Sequence, residues 1–304
     1  MKTMSNPKPS FGPSPVLRNT VVASLIAALA STTTQAALLS VESFNGYTVG
    51  TQLPANTPSP AVAGYTGDWT GVDWGVGWPT TSAGSLNYLG AGYASGGGDH
   101  IGVANAPFDF NNSSRMYRLL DSSLAVTGST TGTRYLSWLF QNGVEGPTVY
   151  QMLDLYNGNT ADASRTFTAG LTQNGGADGL HYNFGVNEAY TSTGIAADTG
   201  VHLFVAKFVL GATPGTDSVT VWLDPLLGGG DPGGGFTISG QNLAFDRLAI
   251  SDYDENSARW DEIRWGETFN DVTVTAVPEP SAAALLLGGL GAAGALLRRR
   301  KNQA

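Results

Sequence analysis

Between residues 37 and 277 the chain consists of short apolar, aromatic and β-branched runs separated by turn residues. The run Val201 to Leu210 is mostly apolar, which favours a central strand covered on both faces. Pro214-Gly215 follows as a turn, and Asp217 to Asp224 then alternates with the period of two that a half-buried strand requires. These features predict a β-hairpin. The glycine content of the chain, 41 of 304 residues, argues against a helical bundle.

Similar runs predict further strands over residues 38–44, 134–140, 148–156, 164–172, 180–186, 245–251 and 263–274. No long amphipathic helix and no repeat of fixed period is found between residues 37 and 277. About a dozen short strands at this spacing predict an all-β fold, a two-sheet antiparallel jelly-roll sandwich.

The order of the later strands is similar to that of concanavalin A-like (laminin-G-like) jelly rolls. The residues that carry this resemblance are Leu203–Lys207, Asp217–Pro225, Phe245–Ile250 and Asp261–Gly266. The resemblance implies one concanavalin A-like sandwich that occupies residues 37–277. Leu227 to Gly235, with Asp231-Pro232 among six glycines, is most simply interpreted as a flexible hairpin tip.

The N-terminus has the three parts of a secretory signal peptide. Its basic region ends at Arg18, an apolar run extends from Val21 to Ala30, and small residues lead to Ala36. We therefore predict that residues 1–36 direct export through the Sec machinery and are removed between Ala36 and Ala37.

The C-terminus has a second three-part segment, Val277-Pro278-Glu279-Pro280, an uncharged Ala/Leu/Gly run over residues 281–297, and the basic tail Arg298-Arg299-Arg300-Lys301. At about 1.5 Å per residue the apolar run reaches about 25 Å, enough for a short transmembrane helix. The basic tail is then expected on the cytoplasmic side of the inner membrane.

This segment closely resembles the PEP-CTERM sorting domain of Gram-negative bacteria. The resemblance implies recognition by an exosortase, processing near Pro278-Glu279-Pro280, and a host that makes exopolysaccharide. The chain is thus divided into a signal peptide (1–36), a sandwich (37–277) and a sorting signal (278–304). The alternative for the C-terminus is a permanent membrane anchor.

The charge of the chain is unevenly distributed. The formal net charge is -9, but the two ends hold seven of the 15 Lys/Arg and one of the 24 Asp/Glu. The remaining eight basic and 23 acidic residues give the predicted domain a net charge of -15. This balance argues against nucleic acid as a partner. The absence of cysteine excludes disulfides, thiol nucleophiles and Cys-ligated metals.

Three tryptophans, Trp69, Trp74 and Trp78, lie in a glycine-rich stretch beside Asp68 and Asp73. Exposed aromatic rings beside carboxylates are typical of sugar-binding surfaces, so these tryptophans are candidate carbohydrate-binding residues. The alternative is that they pack into the core beneath a loop.

A second candidate site is Asp252, Asp254 and Asn256, which begin like a calcium-binding loop. The sequence has Ser257 and Ile263 where an EF-hand requires Gly and Glu, so that motif fails. A calcium site of another kind and a solvated acidic turn remain the two interpretations. No other cofactor is expected.

A third constellation is Glu262 and Glu267, whose spacing is similar to the carboxylate pair of laminarinase-type retaining glycosidases. Such enzymes need two carboxyl groups about 5–5.5 Å apart. Here Arg264 replaces the expected central Asp, and a regular strand would put the two glutamates on opposite faces unless a bulge, for instance at Gly266, realigned them. The alternative is a closing strand with an Arg264–carboxylate pair on its outer face.

No catalytic residue is assigned. The three histidines lack metal-ligand spacing, and His202 is interpreted as a core or edge residue. We therefore predict a non-enzymatic, structural or adhesive protein that is exported and then displayed at the cell surface or released into the matrix. The first alternative is a lectin-like module, with or without calcium, for which exopolysaccharide is the natural partner. The second alternative is a glycoside hydrolase or lyase.

Overall fold

The computed structural model describes residues 38–55, 58–72, 80–88, 99–102, 113–142, 150–172, 181–187, 189–253 and 258–273. These residues contain strands β1 (Ser40–Glu42), β2 (Tyr65–Val72), β3 (Thr80–Ser82), β4 (His100–Gly102), β5 (Ser113–Leu120), β6 (Gly132–Gln141), β7 (Tyr150–Tyr156), β8 (Arg165–Thr172), β9 (His181–Val186), β10 (Ala189–Ala196), β11 (Val201–Leu210), β12 (Asp217–Leu223), β13 (Phe236–Gln241), β14 (Arg247–Tyr253) and β15 (Arg259–Gly266). The helical elements are the 3-10 turns η1 (Leu53–Ala55) and η2 (Asp162–Ser164) and the short helix α1 (Phe269–Thr273).

The strands form two antiparallel sheets, so the predicted all-β, two-sheet class is confirmed. One sheet has eight strands in the order β13-β12-β11-β6-β15-β4-β3, with β1 pairing to β15. The other has seven strands in the order β10-β9-β8-β7-β14-β5-β2. Neighbouring strands are often far apart in sequence, as in the pairing of β6 with β11, because strands cross between the sheets as a jelly roll requires.

An aromatic core fills the space between the sheets. The rings of Trp138 on β6 and Phe204 on β11 stack with centroids 5.0 Å apart. Tyr182 on β9 meets Phe204 edge-on from the opposite sheet at 5.8 Å. Phe167 on β8 and Phe208 on β11 make a second edge-to-face contact across the sheets at 5.1 Å. Such pairs favour fixed ring orientations, so they set how the two sheets lie against each other.

A second apolar cluster covers the outer face of the eight-stranded sheet. Its fully buried members are Leu139, Leu203, Val205 and Val272. Trp222 on β12 packs edge-on against Phe269 of α1, at 5.9 Å between ring centroids. Strand β11 is therefore covered on both faces, as its apolar sequence predicts.

Two predictions about the later elements need correction. The strand expected over residues 263–274 is instead β15, which ends at Gly266, followed by α1. The Gly-rich tip between β12 and β13 is anchored, because Asp231 accepts a hydrogen bond from the Tyr135 hydroxyl at 2.6 Å and pairs with Lys207. The hairpin itself is present, since β12 and β13 pair antiparallel.

None of the described helical elements is long and apolar enough to cross a membrane. The predicted signal peptide, its cleavage site at Ala36 and Ala37, and the predicted helix over residues 281–297 lie outside the described residues.

Gly170 on β8 offers a direct test of the sheet packing. Its backbone has φ +154°, and a Cβ there would lie 2.2 Å from the carbonyl oxygen of Gln151 on β7. We expect Gly170→Ala to lower the free energy of unfolding by about 2 kcal/mol, because backbone atoms must move to relieve the clash. Urea denaturation of both proteins measures the difference. Gly128→Ala is the matched control, since a Cβ at that position would have no neighbour within 4 Å, and an equal loss in both variants would contradict the argument.

Candidate functional site

A polar network lies on the outer face of the seven-stranded sheet. Asp154 on β7 points away from the core side of the strand, which Leu153 and Leu155 occupy, yet its side chain is fully buried. It accepts hydrogen bonds from the hydroxyls of Ser251 and Tyr156. Strands β7 and β14 therefore bring an acid and two hydroxyls together at one buried point.

Arg165 connects this acid to the edge of the sheet. Its Nε lies 3.6 Å from Asp154 and donates to the Tyr156 hydroxyl at 3.0 Å. Its Nη1 donates to the Tyr190 hydroxyl of β10 at 2.6 Å, and its Nη2 pairs with Asp162 at 2.6 Å. The guanidinium thus joins β7, β8 and β10 and neutralises two carboxylates.

Tyrosine rings and a second arginine extend the network. Arg115 pairs with Asp162 at 3.0 Å and lies over the ring of Tyr156. Arg165 lies over the ring of Tyr150, whose hydroxyl is 3.4 Å from that of Tyr190. Burial, together with the charge of Asp154, raises the pKa of Tyr150, so its hydroxyl remains protonated. The negative charges of Asp154 and Asp162 are balanced by the positive charges of Arg115 and Arg165. The network as a whole is therefore neutral and rich in hydroxyls and aromatic rings.

The sequence prediction missed this network, although a signal for it was present. Tyr150, Asp154 and Tyr156 occupy alternate positions of one predicted strand, opposite in phase to Leu153 and Leu155. The period of two places all three on one face. The partner residues on β8, β10 and β14 could not be assigned because they depend on strand order.

The structure does not place Trp69 where a sugar could stack on it. This tryptophan on β2 is 2% exposed, and its Nε1 donates to the Tyr47 hydroxyl at 3.0 Å. Its burial means that the predicted role in carbohydrate binding is wrong for Trp69, which packs into the core instead. Trp74 and Trp78 lie outside the described residues.

A buried ion pair holds Tyr47 in place. Arg118 on β5 pairs with Glu42 on β1 at 2.8 Å, and both side chains are buried. The Tyr47 hydroxyl donates to Glu42 at 3.0 Å. Because β1 and β5 belong to different sheets, this pair ties the sheets together beside the aromatic core.

Asp252, the first predicted calcium ligand, lies on β14 and is buried. Asp254 and Asn256 lie outside the described residues. Within the described part of the chain, no group of three or more His, Asp or Glu side chains is arranged to hold a metal ion. The calcium site therefore remains a prediction.

The two glutamates of the third constellation occupy different environments. Glu262 is fully buried and pairs with Arg264 at 2.8 Å, which is the Arg264–carboxylate pair that the alternative interpretation expects. Glu267 lies beyond the end of β15, is exposed, and is 3.7 Å from Arg134. A bulge is present, but it lies at Glu262, where φ is +51°, and not at Gly266.

The carboxyl group of Asp261, beside this bulge, has a raised pKa. Burial and the charge of Glu262 raise its pKa to about 7, against the hydrogen bond from the Ser85 hydroxyl at 2.6 Å. A pKa near neutrality is common in catalytic acids. Here, however, the side chain is fully buried, and it accepts hydrogen bonds from the Ser85 hydroxyl and the Leu86 N–H.

His202 bridges two aspartates at the start of β11. Its Nδ1 is 2.6 Å from Asp224, which follows β12, and its Nε2 is 2.7 Å from Asp198, which precedes β11. Burial opposes protonation of the ring, but the two carboxylates outweigh it and raise the pKa above the ordinary value of 6.5. Only the protonated imidazole can donate to both acids. His202 thus lies, only 9% exposed, at the start of an internal strand, and it has an ionic role that the sequence did not indicate.

The end of the chain matches a known sorting signal. Residues 276–301 match the family model described as the PEP-CTERM protein-sorting motif. The chain therefore carries this motif, which includes Val277-Pro278-Glu279-Pro280 and Arg298-Arg299-Arg300-Lys301 and lies outside the described residues. The motif implies an exported protein that passes the membrane, is recognised by exosortase, and is sorted to the cell surface. No curated protein matches the chain.

Several solved structures are similar in fold. A glycosyl hydrolase family 16 protein from Mycobacterium smegmatis is 13% identical, with 75% of this chain and 100% of that chain covered and a TM-score of 0.42. Domain 4 of the extracellular arabinanase AbnA from Geobacillus stearothermophilus, in complex with arabinotriose, is 14% identical, with a TM-score of 0.39. The match covers 79% of this chain and 95% of that domain. The cellulose-induced protein Cip1 is 15% identical, with 66% and 91% covered and a TM-score of 0.38.

The histidine cluster predicts a dependence of stability on pH. Because the folded-state pKa of His202 is raised, its stabilising effect is complete below pH 6.5 and is lost as the pH rises through the folded-state pKa. We expect His202→Gln to lower the free energy of unfolding by about 1–2 kcal/mol at pH 5.5 and by less at pH 9. Urea denaturation across this range measures the effect. His181→Gln, on β9, is the control, and a loss for His202→Gln that is the same at both pH values would contradict the assignment.

Proposed function

We propose that the chain is an exosortase-sorted protein of the cell surface or extracellular matrix, with a structural or adhesive and non-enzymatic role. The observation that carries this proposal is the PEP-CTERM motif over residues 276–301. The motif gives the destination of the chain, and the sandwich is the part that acts there.

The chemistry of the described residues supports a non-enzymatic role. Glu42, Asp154 and Glu262 are buried and lie in ion pairs with Arg118, Arg165 and Arg264. An acid–base pair in a glycosidase needs two carboxyl groups that reach one sugar from either side. Glu262, enclosed beside Arg264, is unsuited to that task.

Replacing the central acid of the motif tests the sorting proposal. We expect Glu279→Ala to abolish processing, so that the variant stays in the membrane fraction with an intact mass that includes Ala304. The wild-type protein is expected to lose its basic tail and reach the surface or medium. Intact-mass spectrometry and cell fractionation give the readout.

Glu267→Ala is the matched control, since this exposed acid lies outside the motif. Processing of this variant should equal that of the wild type. A mature wild-type protein that still ends at Ala304 would contradict the proposal.

The second candidate function is glycan binding, and the outer face of the seven-stranded sheet favours it. Sugars contact aromatic rings and exchange hydrogen bonds with planar polar groups. Arg165 itself is buried, but the partly exposed rings of Tyr150 and Tyr190 and the exposed carboxylate of Asp162 lie at the outer margin of the network and supply both. The balanced charge of the network suits a neutral glycan better than a polyanion.

Tyr190→Phe tests this candidate because it removes one hydroxyl and keeps the ring. If the wild-type protein binds a neutral glycan on an array, we expect the Tyr190→Phe variant to bind that glycan about five- to tenfold more weakly, which is the effect of one neutral hydrogen bond. Tyr88→Phe, outside this face, is the control. If the wild-type and Tyr190→Phe proteins bound the glycan with equal affinity, this face would be excluded as the binding site.

A further inference from the structure

Each of the two sheets has two edges, and one edge of each sheet lies on the same side of the sandwich. These are β10, at the end of the seven-stranded sheet, and β13, at the end of the eight-stranded sheet. Phe184 of β9, the strand that pairs with β10, contacts Phe236 of β13 with ring centroids 5.9 Å apart. Asn187 also donates to Gln241 at 3.2 Å. Strands β10 and β13 together therefore form one side of the molecule, which we call the β10/β13 side.

The opposite edges, β2 and β3, are engaged by the chain that precedes them. The backbone N–H of Gly50 donates to the carbonyl of Thr81 on β3 at 2.7 Å. The N–H of Trp69 on β2 donates to the Ser59 hydroxyl at 3.2 Å, while Asp68 accepts from the N–H of Ser59. Proteins protect sheet edges from other chains by covering them with another segment or by placing a charge on them. The segment before β3 does the first, and Asp68 on β2 does the second.

The β10/β13 side has a different character. Strand β10 (AYTSTGIA) and strand β13 (FTISGQ) contain neither a charged residue nor a proline. Six of the eight residues of β10 are exposed. Charges and prolines on an edge are the usual barriers to pairing with another chain, and β10 lacks both.

The regular part of this edge is short. Its pairing with β9 is continuous from Ala189 to Ser192, and the register then shifts. Beyond that point, the N–H groups of Gly194 and Ile195 are bonded to the hydroxyls of Ser192 and Thr193. A partner strand can therefore align along Ala189–Ser192, which limits the contact to a few hydrogen bonds.

The lack of charge on β10 lets a second copy of this chain be the partner despite the charge that each copy carries. The domain between residues 37 and 277 has a net charge of -15, so most orientations bring like charges together. An edge without charges is where two copies approach with the least repulsion. In the proposed function, on which this inference rests, sorting to one surface also keeps many copies at high local concentration.

We propose that the β10 edge, Ala189–Ser192, pairs antiparallel with the same edge of a second copy. A twofold axis would then join the two seven-stranded sheets into one continuous sheet. The contact is weak and reversible because it is short, and it becomes effective when many copies share one surface.

The absence of cysteine makes this pairing directly testable. Single cysteines at Ala189, Tyr190, Thr191 and Ser192 would each be the only thiol in the chain. Opposed residues in an antiparallel pair have Cα atoms about 4.5–5.5 Å apart, which a disulfide can span. On mild oxidation of the exported protein, we expect the residue nearest the twofold axis to form a disulfide-linked dimer in highest yield. Thr70→Cys, exposed on the opposite edge β2, is the control and should remain monomeric.

A charge exchange at Thr191 provides the second measurement. We expect Thr191→Lys and Thr191→Glu, each alone, to weaken dimerisation in sedimentation experiments about fivefold, because like charges would then face each other. Mixing the two variants should restore association at least to the wild-type level. Thr70→Lys should leave the monomer–dimer equilibrium unchanged.

Either of two results would overturn the proposal. One is a wild-type protein that remains monomeric up to about 1 mM, beyond the effective concentration that a short tether provides. The other is a dimer that Thr191→Lys does not weaken, since it would use another surface. Both assays use purified protein, whereas the sorting proposal is tested by the mass of the mature C-terminus, so failure of one is distinguishable from failure of the other.

Discussion

The edge-to-face and stacked packing of aromatic rings between the two sheets is the constraint on which the remaining structure depends. Trp138, Phe204 and Tyr182 fix the relative position of β6, β11 and β9, which lie in two different sheets. Because the inward-facing side chains form this core, the outer face of each sheet is left to make other contacts. One outer face is covered by an apolar cluster, and the other carries a polar network.

Most basic residues of the domain form ion pairs with its own acidic residues. Arg118, Arg165 and Arg264 are buried and neutralise carboxylates that could not otherwise be enclosed. These pairs stabilise particular strand contacts, such as that between β1 and β5. As a result, the surface carries most of the negative charge of the domain. Strands β10 and β13, which contain no charged residue, differ in this respect from the rest of the surface.

The sequence predicted the strands that carry strong local signals and missed those that depend on pairing. Val201–Leu210 is a strand with the predicted bounds, because its apolar run needs no partner to be recognised. Strands β10 and β13, rich in Thr, Ser and Gly, were not predicted, since their pairing with β9 and β12 defines them. Likewise, a pair between Arg264 and a carboxylate was the alternative interpretation of its strand, and the structure supplies Glu262 as the partner. The Asp154–Arg165 network, in contrast, joins residues whose proximity only the strand order determines.

Lys207 is the only lysine between residues 37 and 277, and it pairs with Asp231 over the outer face of the eight-stranded sheet. Arg118, Arg165 and Arg264 are each at most 5% exposed. A protease that cleaves after basic residues therefore finds at least half of the eight such sites in the domain either buried or held in an ion pair. The ion pairs that enclose the acids of the domain therefore also limit how many basic residues a secreted protease can reach.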